Sequence, residues 1–207
     1  MRVDLFSFDL PEERIAPMLS FRSWVEAVFR GPDPEWEMTW DEEQIHPSWV
    51  LEHTARLFAA PGFLRHAYTA EELAGGLERL RDGWELTFAL WERRVPWPVR
   101  EACIRAMPGL FRDVLAHDPL EHTCFMWFET FRPFDDDADE RAGLALAEAA
   151  AEILALPNEE CQLAALHGLG HFDHPRRREW IESYLRDNRV DRGVRDYALR
   201  AAEGEVL

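Results

Sequence analysis

The sequence predicts an all-α fold, an irregular α-solenoid of stacked helical hairpins. Three observations predict it. A nine-residue pattern recurs at residues 99–107, 161–169 and 194–202. Each copy has small or apolar side chains at i, i+4, i+5 and i+8: Val99, Cys103, Ile104 and Met107; Cys161, Ala165, Leu166 and Leu169; Val194, Ala198, Leu199 and Ala202. The copies start 62 and then 33 residues apart, close to twice a two-helix repeat and then one, the spacing of a stacked helical array. Elsewhere apolar residues keep helical spacing, and no stretch sustains the period-2 alternation of a strand or carries an Asn-Gly hairpin signal.

Asp9, Leu10, Pro11 and Glu12 open the first helical segment, with a capping acid and a proline tolerated in the first turn. Pro17 interrupts it. From Ser20 onward, Phe21, Trp24, Val25, Val28 and Phe29 form one stripe of an amphipathic helix. Gly31, Pro32, Asp33 and Pro34 end it. Residues 35–46 are acidic and Trp-rich and give no clear helical or strand signal. Pro47 starts a helix that runs to about residue 60 and stops at Pro61 and Gly62. Thr69 and Glu72 fit a capping box, in which hydroxyl and carboxylate satisfy orphan amides at a helix start. Leu73, Leu77 and Leu80 continue that helix, and Leu86, Leu90 and Trp91 carry the next.

Pro96 and Pro98 precede the first repeat helix, residues 99–117, where Pro108 predicts a kink or break. Residues 121–131 are strongly aromatic and read as buried. An acidic loop at 135–140 leads into an Ala-, Leu- and Glu-rich helix over 138–156. Asn158 is a cap for the second repeat helix. Residues 175–187 supply its partner, packed through Trp180, Ile181, Tyr184 and Leu185. Gly193 precedes the last helix, which ends near Gly204. No linker is long or polar enough to divide the chain. The expectation is one all-helical domain over residues 1–207, with divergent helices at 1–95 and the repeats at 96–207.

Composition bounds the function. A chain of 207 residues can bury a substantial core. No apolar run reaches the length of a membrane span, and acids interrupt the N-terminus where a signal peptide would be apolar; a cytoplasmic protein is expected. Cys103, Cys124 and Cys161 are odd in number and form no Cys-x-x-Cys pair, so they read as buried small hydrophobes. All 23 basic residues are Arg, which excludes Schiff-base, Walker-type and Ser–Lys chemistry. The formal charge of −17 argues against nucleic acid, whose binding depends on neutralising phosphates. The charge is polarised: residues 31–55 carry seven acids and no Arg, whereas 174–200 carry eight Arg against five acids. Such an acidic stretch suits docking of a basic partner.

Residues 157–207 resemble HEAT-type repeats, including the PBS-lyase-like branch. The resemblance rests on the helix–turn–helix length, the Ala-Ala-Leu-x-Gly-Leu-Gly run at 164–170 and the Val-Arg-x-x-Ala-Leu start at 194–199. It extends more weakly to residues 98–107. It implies a helical-repeat scaffold and leaves function open, because that architecture serves many roles. Deoxyhypusine hydroxylases with this architecture bind iron through His-Glu dipeptides, and this chain has none. Its charge is wrong for the glycosylases of the superfamily, and no residue marks a tetrapyrrole site.

Two constellations carry the functional expectations. Glu35, Trp36, Glu37, Trp40, Asp41, Glu42, Glu43 and Trp49 combine acids with aromatics, the chemistry that receives a basic or Arg-rich protein segment. The leading expectation is therefore a non-catalytic interaction module. The alternative is a metal-binding protein or metal-dependent enzyme using a divalent ion at His167, His171 and His174. His167 and His171, four apart, share one helical face. Asp173 and His174 follow in the turn, so three-His or two-His-one-carboxylate ligation is conceivable. Ordinary capping and dipole roles compete with that alternative. His117, Glu121 and His122, and the acids at 135–140, read as turn and capping chemistry. A third expectation is a homo-oligomer in which acidic and Arg-rich ends meet.

Overall fold

The computed structural model describes residues 20–31, 46–82, 84–117, 120–132 and 139–206. The helical segment expected from Asp9 and the acidic stretch at 32–45 lie outside the described residues. Within them the secondary structure is entirely helical, eleven α-helices with no strand.

Local signals set most helix ends. Helix α1 (Phe21–Arg30) begins where the Ser20 hydroxyl accepts the Ser23 amide and ends at Gly31, whose φ of 90° favours glycine. Helix α2 (Pro47–Ala59) carries proline at its first position. A 3-10 turn at Pro61–Phe63 and the short α3 (Leu64–Ala67) follow. Helix α4 (Ala70–Asp82) opens on the expected capping box. The Thr69 amide donates to Glu72 Oε2 at 2.8 Å, and the Glu72 amide donates to Thr69 Oγ1 at 3.2 Å.

After α5 (Trp84–Trp91), helix α6 (Trp97–Leu110) carries Pro108 without breaking. It widens instead into a π-helical stretch at Phe111–Leu115, in which the Ala116 amide reaches back to the Phe111 carbonyl. That wider turn is one way a helix absorbs a local mismatch. The aromatic segment forms α7 (Glu121–Phe125) and a 3-10 turn at Glu129–Phe131, with Trp127, Phe128 and Phe131 fully buried. Asp139, Asn158 and Asp191 cap α8 (Glu140–Leu154), α9 (Glu159–His171) and α11 (Arg192–Glu203) through side-chain oxygens. Helix α10 (Arg177–Asp187) buries Ile181 and Tyr184, while Trp180 and Leu185 are half-buried against the core.

Helix α6 is the hub of the N-terminal half, lying against both α2 and α8. Its approach to α2 is close: a Cβ on Gly109 would stand 2.3 Å from the Phe58 carbonyl oxygen. Helix α9 is the hub of the C-terminal half, touching α7, α8 and α11. Residues 164–170 of α9 are consequently buried without interruption. The repeated positions of the first two copies are all buried. In the third copy Val194, Ala198 and Ala202 are buried but Leu199 is 50% exposed, on the outer side of the last helix. Buried side chains form one continuous cluster from Trp24 to Ala202. Cys103, Cys124 and Cys161 are free thiols within it. No helix among the described residues is long and apolar enough to cross a membrane.

Candidate metal centre

Helix α9 carries His167 and His171 one turn apart, and both imidazoles turn towards the 3-10 turn that holds Glu129. His167 Nε2 and His171 Nε2 are 3.1 Å apart. Glu129 Oε2 lies 3.3 Å from the first and 2.6 Å from the second. Two imidazole nitrogens and a carboxylate oxygen thus face one another as a triangle.

The surroundings fix each member. Gly168 lets the turn approach α9, since a Cβ there would meet the Phe128 ring at 2.5 Å. Phe128 is the residue before Glu129, so this contact places the carboxylate. Arg132 Nη1 donates to Glu129 Oε1 at 2.9 Å, which holds the other oxygen towards the histidines. Tyr197 on α11 stands 2.6 Å from His167 Nδ1, and its ring lies nearly parallel to the imidazole. Phe125 packs against the same imidazole at a centroid distance of 4.6 Å. A hydrogen bond on one ring nitrogen directs the other nitrogen at the site; when Nδ1–H donates to the Tyr197 oxygen, Nε2 presents its lone pair there.

The electrostatics suit ligation. Burial lowers His167 and His171 from the ordinary histidine value, more than Glu129 raises them, so both favour the neutral form. Burial works to raise Glu129, but the Arg132 hydrogen bond and the two histidines outweigh it and hold the carboxyl low. Burial pushes the Tyr197 hydroxyl up to about 12, so it stays protonated. Glu129 Oε2 is itself buried, and the groups that meet it are the imidazole nitrogens of His171 at 2.6 Å and His167 at 3.3 Å.

Donor spacing agrees with one bound ion on two of three edges. Donors about 2.0–2.1 Å from a tetrahedral ion are roughly 3.3 Å apart, and around an octahedral one roughly 3.0 Å. The 2.6 Å edge is a direct contact that an ion would open by roughly half an ångström.

His174 stands apart from this triangle. Phe172 leaves the helix in an extended conformation, and the His174 ring stacks on Trp180 at 4.4 Å while its Nδ1 accepts the Arg176 amide. Asp173 is fully exposed beside Arg177. The carboxylate comes instead from Glu129, which the sequence reading missed. One signal marked it: a lone acid between Phe128 and Phe131 in a run of buried aromatics must find a cation or a donor.

Of the acidic and aromatic constellation, Glu35, Trp36, Glu37, Trp40, Asp41, Glu42 and Glu43 lie outside the described residues. Trp49 is half-buried on α2, edge-on to Trp24 and against His53 at 4.3 Å. Trp127 is core as expected, whereas Trp91 and Trp97 are half-buried. His117 and His122 are exposed. Among the described residues, Glu129, His167 and His171 are the group whose ligating atoms converge. No protein-family model, no curated protein and no solved structure matches the chain.

Proposed function

We propose that this protein binds a divalent transition-metal ion through His167 Nε2, His171 Nε2 and Glu129 Oε2. The proposal rests on one observation: a buried carboxylate oxygen and two imidazole nitrogens converge within 3.3 Å of one another. A cation satisfies that oxygen and both nitrogens at once. Two imidazoles and one carboxylate match zinc, and also iron(II). The ion would tie α9 to the turn after α7, with Tyr197 orienting His167 from α11. We read the helix pairs from α6 onward as an irregular HEAT-like array in a cytoplasmic protein; the buried repeat positions support the array.

Elemental analysis of protein purified without a His tag, then exposed to zinc and dialysed, tests this. The expected content is about one ion per chain, because a preformed site binds stoichiometrically. Zinc at a hundredfold its Kd adds about 2.7 kcal/mol of stability, so Tm rises by roughly 5–10 °C and falls back in chelator. His171→Ala abolishes both effects. Substoichiometric zinc with a Tm indifferent to chelator overturns the proposal.

A second reading rests on charge. With a net charge of −17 and an Arg-free stretch over residues 31–55, we propose that the same molecule docks a basic protein segment without catalysing a reaction. The check is titration with an Arg-rich peptide. Association should weaken steeply as salt rises and fall in a variant with Glu35, Glu37, Asp41, Glu42 and Glu43 neutralised. Absence of association at low salt refutes it.

A further inference from the structure

We infer that the ion held by His167, His171 and Glu129 keeps a coordination position for a small oxyanion, a carboxylate or a phosphate, with Arg132 as the anion's second contact. This rests on the metal reading above. Among the described residues three protein donors converge. Closed structural zinc sites use four protein ligands, whereas sites that bind substrate use three and leave the fourth position to water or ligand.

The open side can be located. Around His167 the protein is closed: the residue is fully buried, Phe125 lies on its ring, and Tyr197 occupies Nδ1. The cover is thinner towards the turn: Glu129 Oε2 is buried, but the rest of that side chain is 29% exposed and Arg132 is 56% exposed. Approach to the ion is therefore along the edge that Glu129 and Arg132 share.

Charge selects the class of ligand. Among the described residues, the charged groups acting on the two histidines, apart from each other, are Glu129 and Arg132. Arg200 lies over the Tyr197 ring and acts on that hydroxyl. A divalent ion held by one carboxylate keeps a surplus positive charge, and the two arginines add to it. In a molecule of net charge −17, the loaded site is locally cationic. An oxyanion can put one oxygen on the metal and another on the guanidinium, whose planar fork suits two-oxygen acceptors.

Cobalt(II) in place of zinc tests this, because its visible bands report the coordination shell. The cobalt-saturated protein is titrated separately with acetate and with inorganic phosphate. The expected result is a saturable shift of the bands, and the more effective anion identifies the ligand class. Arg132→Ala, at saturating cobalt, should weaken the anion roughly tenfold or more, the effect of losing a charge-assisted hydrogen bond. Arg132→Lys should recover part of that loss. Cobalt bound at full occupancy with bands unmoved by either anion overturns the open position and leaves the metal reading standing. Failure to bind cobalt at all overturns the metal reading itself. An anion affinity unchanged in Arg132→Ala removes Arg132 from the site.

Discussion

At the scale of single residues, the protein's chemistry concentrates where burial and charge conflict. His167 is fully buried, and His171 has only 6% of its side chain exposed. Burial lowers both from the ordinary value of 6.5. The folded state therefore binds fewer protons than the unfolded state in the window just below that value. Stability contributed by the pair is fully present above the ordinary histidine pKa and is lost as pH falls towards the lower folded value. In the metal-free protein, urea midpoints should fall as pH drops through the histidine range. His167→Gln combined with His171→Gln should flatten that part of the profile. An unchanged slope in the double variant would show that the titration lies elsewhere. Glu129 shifts in the same direction, so its contribution is lost at lower pH, through the carboxylate range.

At the scale of elements, contacts between helices depend on where Cβ atoms are missing. Gly168 and Gly143 both lie inside helices, where alanine is intrinsically favoured by about 1 kcal/mol. They should nonetheless respond oppositely. A Cβ on Gly143 meets nothing within 4 Å, so Gly143→Ala should stabilise by up to about 1 kcal/mol. A Cβ on Gly168 would press into the Phe128 ring at 2.5 and 2.6 Å. Gly168→Ala should therefore cost about 1–3 kcal/mol by overpacking. It should also weaken zinc binding, because Phe128 precedes Glu129. Thermal melts of the two variants, with zinc titrations, check both. Stabilisation of both to the same extent would mean that Phe128 yields without cost.

The whole molecule is held at its middle by a buried charge. Arg100 on α6 is 1% exposed and donates to Asp139 Oδ2 at 2.8 Å, at the start of α8. Arg141 bonds the same carboxylate, and with Arg100 and the α8 amide it holds Asp139 down to about 2. Trp97 lies under both guanidinium groups. Losing Arg100 leaves Asp139 with Arg141 alone and empties a buried volume between α6 and α8. Arg100→Ala should thus cost about 2–5 kcal/mol in a denaturant titration, whereas Arg100→Met, which keeps much of the packing, should cost less than Arg100→Ala. Equal losses in the two variants would assign the effect to the lost ion pair, not to packing.

The sequence by itself determined what acts within a turn or two of chain. The capping box at Thr69 and Glu72, the Asn158 cap, the end of α1 at Gly31 and the buried faces of the first two repeat copies were all legible. So was the pairing of His167 with His171, because i and i+4 share a helical face wherever the helix goes. Pro108 was legible as a perturbation but not as a π-helical continuation, since the packing of α6 against α2 and α8 keeps the helix going. Only the tertiary structure decided the rest. It buried His167, left Leu199 outside, drew His174 away to Trp180 and brought Glu129 to the histidines from a distant turn. These outcomes depend on which helices pack together, and periodicity reports the face a residue occupies, not what that face meets.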